Sequence, residues 1–433
     1  MKPGTRGTFV PVNHVRTAAK PSASTLLARV CGSAVLFAGA ASAQPAMAQQ
    51  RSFPPRPTGT ERQIDVRATA ALEYNDNVVL NDPRIAQGAP RDDVSAAPSL
   101  DLNILLPRPT GSVYVSGNIG YRFYRRYSYL NREMISLSGG IDQRLASCVV
   151  HGDLGYQRRL SDLSNLSLQD SPESFKNTEE VRRYATDIGC GGQYGLRPAV
   201  AFSRTEVRNS RSERSYADSN TNMVTAQLGL LVPAIGTVSV FGRYADSSYP
   251  RRPVPAGSER DGLKSYAAGL QLERSVGQRL DFRGSANYTK ADPKLRGTRG
   301  FSGFGFDLSA AYKGDPFTVL LSGSRSAEPS QLFFISYEVV TTLTGSVTRQ
   351  LGDRTSLSLR ASKTWRDLSA SELFPNAPRV GNNDIGSILA SAVYRPSRRL
   401  RFSLEGGYER RTSNVQLYQY RAKRINLTTS LSL

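Results

Sequence analysis

The sequence predicts an all-β fold, a transmembrane antiparallel up-and-down barrel of the bacterial outer membrane, with about 18 strands and no plug domain. Three observations predict it. Apolar and polar residues alternate over many short segments, the connections between those segments alternate short and long, and the aromatic residues gather at two levels.

Alternation is the primary signal. A strand with one face in hydrocarbon and the other in an aqueous lumen sends successive side chains into opposite media. In 280–288 the even positions are Leu280, Phe282, Gly284, Ala286 and Tyr288, against Asp281, Arg283, Ser285 and Asn287. Segments 304–312 and 400–408 repeat the pattern, and helical spacing fits none of them. Counting such segments gives 18, at 62–75, 94–106, 111–124, 134–145, 147–158, 181–195, 198–210, 220–232, 236–246, 263–275, 279–290, 303–314, 316–327, 335–349, 354–366, 384–396, 399–413 and 417–433. An even number suits a barrel whose two ends lie on one side of the membrane.

The connections divide into two sets. Turn chemistry marks the short ones, as at Pro107 to Gly111, Pro233 to Gly236, Gly277-Gln278 and Gly352-Asp353. The long ones, 76–93, 159–180, 247–262 and 367–383, are rich in Pro, Asn, Asp and charge. Short periplasmic turns and longer external loops are the habit of outer-membrane barrels. If odd-numbered strands run outward, Tyr74, Phe123, Tyr156, Tyr244, Tyr288, Trp365 and Tyr408 reach the external level, joined there by Tyr184, Tyr266, Phe304 and Tyr337. Tyr194, Tyr312 and Tyr394 mark the periplasmic level, so two aromatic girdles emerge.

The first residues argue the compartment. Lys2, Arg6, Arg16, Lys20 and Arg29 form a basic region before a short apolar run, Val30 to Ala41, which is too short to span a bilayer as a helix. Ala41-Ser42-Ala43 follows as a cleavage pattern, so 1–43 reads as a signal peptide, with Ala48 as the second option. Residues 44–61, with Pro45, Pro54, Pro55 and Pro57, read as a periplasmic tether too small to be a plug, and 62–433 as the barrel. The chain carries a net charge of +20, and removing the five basic residues of the signal leaves +15. By parity the inner wall is mixed in sign, with Arg67, Arg122, Arg243, Arg283, Arg360 and Arg401 facing the lumen among Asp281, Asp307 and Glu405, and with Tyr114 and Phe241 between them. The positive excess falls on the turns and loops, where Arg125, Arg126, Arg251, Arg252, Lys294, Arg296 and Arg299 suit the phosphates of lipopolysaccharide or an acidic polymer. Nucleic acid is excluded by the compartment.

Catalytic and metal chemistry find no constellation. His151 is the one histidine after the signal, set toward the lumen near the periplasmic end beside Asp153, and reads as a solvated polar residue. No Cys-x-x-Cys and no second histidine offers a metal site, and nothing implies a cofactor. Cys148 and Cys190 begin and end neighbouring strands, their midpoint at 169 lies inside loop 159–180, and both share the even parity of the lipid-facing residues. They are therefore set opposite each other on one face, and the periplasm is oxidising, so a disulfide is expected; two packed thiols without a bond are the alternative.

The stretch from Val66 through Glu73-Tyr-Asn-Asp-Asn77, the strand Pro98-Ser-Leu-Asp-Leu102, the Tyr-Arg-Phe-Tyr run at 121–124 and the ending from Arg410 to Leu433 resemble the β-barrel porin-2 family. The likeness covers residues 62–433 and rests on strand texture more than on a specific motif. It implies a Gram-negative outer-membrane pore for export of a secreted exopolysaccharide, partnered by a periplasmic polysaccharide-export protein, with no catalytic residues to carry over. The partners expected with it are outer-membrane lipid and lipopolysaccharide, the polysaccharide in transit and the barrel-assembly machinery. Two rivals stay open. One is a diffusion porin for small solutes, in which a loop such as 159–180 would fold inward; the other is a structural or adhesion barrel that does not conduct.

Overall fold

The computed structural model describes residues 53–433 apart from 55, 58, 60, 166–169, 192–194, 255–259, 296, 334 and 371–381. The signal peptide and Tyr194 fall outside them. The strands are β1 (Gln63–Asn75), β2 (Asp93–Arg108), β3 (Gly111–Tyr124), β4 (Arg132–Leu145), β5 (Cys148–Leu160), β6 (Thr178–Cys190), β7 (Gly195–Asn209), β8 (Ser219–Val232) and β9 (Gly236–Ser248). They continue as β10 (Gly262–Val276), β11 (Leu280–Pro293), β12 (Phe301–Lys313), β13 (Phe317–Pro329), β14 (Ile335–Leu351), β15 (Thr355–Ala370), β16 (Asn382–Tyr394), β17 (Leu400–Ser413) and β18 (Tyr420–Ser432). Every strand pairs antiparallel with its sequence neighbours, and β1 pairs with β18 from Arg67↔Ser432 to Asn75↔Arg424. The sheet is therefore closed and has no edge, so the ladders hand the strands' backbone groups partners all round the ring without water, as a membrane core demands.

Closure turns the usual burial rule inside out. Leu154, Leu196, Tyr288, Phe304 and Ile425 are each more than half exposed, and they stand on the even or odd parity that their strands turn outward. Apolar surface this continuous is not left to water. The turns at the inner ends are short; Gly277 and Gly352 hold φ of +60° and +68°, a conformation that a side chain resists. One expected strand differs clearly. The segment expected to run to 195 stops as β6 at Cys190, because Gly191 at φ +137° turns the chain.

The second difference lies at the β12–β13 pair, whose ladder ends at Phe306↔Arg325. Beyond it the tip of the β13–β14 hairpin leaves the wall. Tyr337 and Val339 pack with Leu263 and Ala291, which stand on the inward parity of β10 and β11. Tyr337 is thus buried inside the mouth, and the expectation that it joins the external girdle is corrected. Exposed outward aromatics do stand at the outer ends as Tyr74, Phe123, Tyr184, Tyr266, Tyr288 and Phe304, and at the inner ends as Tyr312 and Tyr394.

Candidate functional site: a loop across the lumen

Among the described residues, several external connections pack on one another at the mouth. In 76–92, Asp82 caps a single helical turn, α1 (Pro83–Ala86), by accepting from the Arg84 backbone N–H at 2.9 Å. The turn buries Ile85 with Val79 against Tyr127 and Leu130 of loop 125–131 and Phe175 of loop 161–177, a small apolar core that locks three loops together. Arg84 lies over the Phe175 ring and donates to the Asp170 carbonyl at 3.1 Å. Burial works against its charge, but its bonds to Asp82 and the nearby Asp170 outweigh burial and raise its pKa.

Loop 161–177, as long as 76–92, does not stay on its own side. It leaves the wall between β5 and β6. Its Asn165 side chain accepts from Arg366 Nη1 of β15 at 3.2 Å, and its Ser164 carbonyl accepts from Arg411 of β17. From there β15 stands half-way round the ring and β17 about a third of the way. On the near side, Arg214 of loop 210–218 donates to Asp170 Oδ2 at 2.9 Å and to the Asn165 carbonyl at 3.3 Å, while Tyr216 donates to Asp170 Oδ1 at 2.9 Å. Arg214 keeps 1% of its side chain exposed, and Arg366 keeps 2%. Arg366 is balanced by Glu338 of β14, with Nε to Oε2 at 2.7 Å. Such charges stay ionised inside the mouth because each is paired and bonded.

The hairpin tip closes in from another side. Tyr249 donates to the Ser330 carbonyl, and Arg252 donates to the same oxygen at 2.9 Å, to the Ile335 carbonyl at 3.3 Å and to Asp261 at 3.1 Å. Arg252 was expected with Arg251 on the surface facing lipid phosphates. Arg251 is 62% exposed and pairs with Asp218, but Arg252 is buried over the Tyr249 ring.

The inward residues read from parity are spread round the wall. Arg67 bonds Asp65 at 2.8 Å, Arg122 meets Glu73 at 3.5 Å, and Asp281 meets Lys313 at 2.9 Å near the inner end of β11. Arg360, Arg401 and Glu405 stand on the inward parity of β15 and β17. One group is brought together: Arg243 lies over Phe241 on β9, Arg283 binds Glu273 at 2.9 Å, and both arginines face Asp307 of β12. Loop residues Asn165 and Asp170 carry no periodic pattern and were missed, although the length of their loop had marked it.

At the inner end, Cys148 and Cys190 are direct partners in the β5–β6 register and are joined, with Cα atoms 4.0 Å apart. His151 contacts Asp142 through Nδ1, and its Nε2 lies 4.0 Å from Asp187. The Ser112 hydroxyl donates to Asp142 at 2.6 Å and not to the ring. Residues ahead of β1 stand here as well. Arg56 reaches Asp142 and lies over Tyr114, and Ser138 bonds the Pro54 carbonyl. Small wall residues make the room, since a Cβ at Gly155 would stand 2.6 Å from the Phe53 ring, and the carboxylates of Asp142, Asp153 and Asp187 attract the arginine.

A closed sheet with an apolar exterior, a charged interior and two aromatic levels belongs in a bilayer. This chain is an integral outer-membrane β-barrel. No family model and no curated protein matches it. Among solved structures it is similar to OccK2 (OpdF) of Pseudomonas aeruginosa, with 11% identity, 86% of this chain and 98% of that one covered, and a TM-score of 0.45. It is also similar to a BenF-like porin of Pseudomonas fluorescens Pf-5, with 11% identity, 87% and 100% covered, and a TM-score of 0.46. The siderophore receptor PirA of Pseudomonas aeruginosa is similar at 13% identity, 87% and 81% covered, and a TM-score of 0.38. What passes through the barrel has to be read from its own lumen.

Proposed function

We propose that the barrel is a diffusion porin for small polar solutes, with its passage set where loop 161–177 crosses the lumen. The observation that supports this most is the Asn165–Arg366 bond, which ties a loop from one side of the wall to the strand opposite. A loop held at both ends by buried arginines divides the cross-section into narrower paths. Beside the loop a cavity is lined by Arg424 and by the carboxylates of Asp162 and Glu409, so a polar solute finds bonds of either sign and is held weakly at any one place.

Export of an exopolysaccharide, which the family resemblance implies, needs a path for a continuous chain of sugar rings and a periplasmic partner. The crossing loop lies in that path, and Arg56 covers the Tyr114 ring that would stack on a sugar. The two readings part in one pair of measurements. Purified barrel in a planar bilayer, without any partner, should show unitary conductance steps and admit small sugars and amino acids to liposomes while excluding oligosaccharides. Deleting the gene should leave the yield and chain length of exopolysaccharide in the medium unchanged. Silence in the bilayer even after removal of 162–176 would make the barrel structural, and loss of exopolysaccharide would restore export.

A further inference from the structure

The outward wall is not uniformly filled. Across β11 to β17 small residues stand between large apolar ones on the outward face, leaving an apolar groove of 770 Å³ between Phe282 and Arg410. Cavities of roughly 300–1,000 Å³ take most of the surface of a bound small molecule out of solvent. The register explains the groove. Gly345 pairs with Leu321 and Ala361, and Gly323 with Leu308 and Leu343, so each gap is flanked by a leucine wall. The groove rises along the sheet. Phe282 is near the inner start of β11, whereas Arg410 is near the outer end of β17.

Its upper end is cationic. Lys363, Gly386, Arg410 and Arg421 are successive partners in one row of the ladder. Gly386 leaves a notch between the first two, over which the Lys363 stem leans. Lys363 has Asp384 at 3.5 Å and Trp365 for company, but the side chains of Arg410 and Arg421 make no ion pair or hydrogen bond among the described residues. Outward cations on a barrel are costly toward the bilayer centre and tolerable at the headgroup level, and cations there draw anionic headgroups. Both arginines also line a second, polar cavity of 410 Å³ at the rim, with Asn77, Arg91, Arg411 and Gln419 and with one carboxylate, Asp76. Arg410 lines both cavities, so the apolar groove and the polar one adjoin at its side chain.

An apolar slot that runs into a basic, hydrogen-bonding recess is complementary to one kind of molecule, an acylated and phosphorylated glycolipid. We propose that this face binds a single lipopolysaccharide of the outer leaflet, an acyl chain lying in the groove and a lipid A phosphate between Lys363, Arg410 and Arg421. The site is outside the lumen and is independent of what the barrel conducts.

The test uses the full-length barrel in detergent, with bisphosphorylated lipid A as the probe and native mass spectrometry as the readout. Wild type should retain one lipid A, whereas Arg410→Gln with Arg421→Gln should weaken retention about tenfold by removing two headgroup charges. Gly345→Leu should weaken it similarly by filling the slot; if that variant does not fold, Ala361→Leu fills the same space. Dephosphorylated lipid A should bind wild type no better than bisphosphorylated lipid A binds the double variant. Conductance should be the same in all variants, which separates this site from the lumen. Retention as strong as wild type in the charge variant or in the groove variant would overturn the proposal. Equal retention of phosphatidylglycerol, or a stable pair of barrels joined through this face, would do so as well.

Discussion

Arg366 is engaged on both sides, by Glu338 within the wall and by Asn165 of the crossing loop, and it is almost wholly buried. Removing one member of a buried pair strands the other, at a cost of roughly 3–5 kcal/mol, whereas replacing both with apolar groups costs far less. Arg366→Ala should therefore lower the barrel's unfolding temperature in detergent and raise its single-channel conductance as the loop comes free. Arg366→Met with Glu338→Leu should restore most of the stability and keep the raised conductance. If conductance is unchanged in both, the loop is not held by Arg366. Arg366, Glu338 and Arg411 all stand on the inward parity of their strands. Their partners were not legible, because the Arg366–Asn165 contact spans 201 residues and ends in a loop that has no period. Arg214 illustrates the same limit: a loop arginine reads as solvated until Asp170, 44 residues away, is known to meet it.

At the scale of elements, the strands were legible because each one reports the two media it separates, and a period of two survives errors of a few residues at the ends. The hairpin tip at 330–341 was not, because its alternation continues after the wall has ended; only the loss of β12–β13 pairing shows that its outward face has turned to cover β10 and β11. The loops themselves are fastened by tyrosine. Burial pushes the phenols of Tyr249 and Tyr129 up to about 12, and the two hydroxyls donate to the Ser330 and Ile85 carbonyls. A raised pKa means that the neutral phenol is favoured in the closed loops. Their contribution is complete below the ordinary value near 10 and is lost as pH rises through about 12. For fully buried Tyr249 the loss approaches roughly 3 kcal/mol. Tryptic cleavage of the external loops should thus be slow at pH 9 and rise steeply above pH ~11. Tyr249→Phe, which cannot ionise, should flatten that rise. A pH profile identical to wild type would show that the tip is fastened elsewhere.

The whole molecule poses a simpler physical question, which is what surrounds it. Leu154 stands at the middle of β5, points outward and is 62% exposed, while Ser285 at the middle of β11 points inward across from Asp307. In water an exposed leucine can become arginine within roughly 0.5 kcal/mol. Against lipid at the mid-plane the same change costs about 2–4 kcal/mol, because the cation loses its hydration and has no partner to replace it. Leu154→Arg should therefore destabilise the barrel by that amount when folding is measured into phospholipid vesicles. Ser285→Arg, which adds the same charge beside a carboxylate in the aqueous lumen, should cost little and alter conductance instead. The contrast between the two variants tests the inside and the outside of the wall at once. Should both prove neutral, the exterior is not in hydrocarbon; should both be equally costly, the lumen is not wet. An expensive arginine outside and a cheap one inside is the signature of a sheet that separates lipid from water.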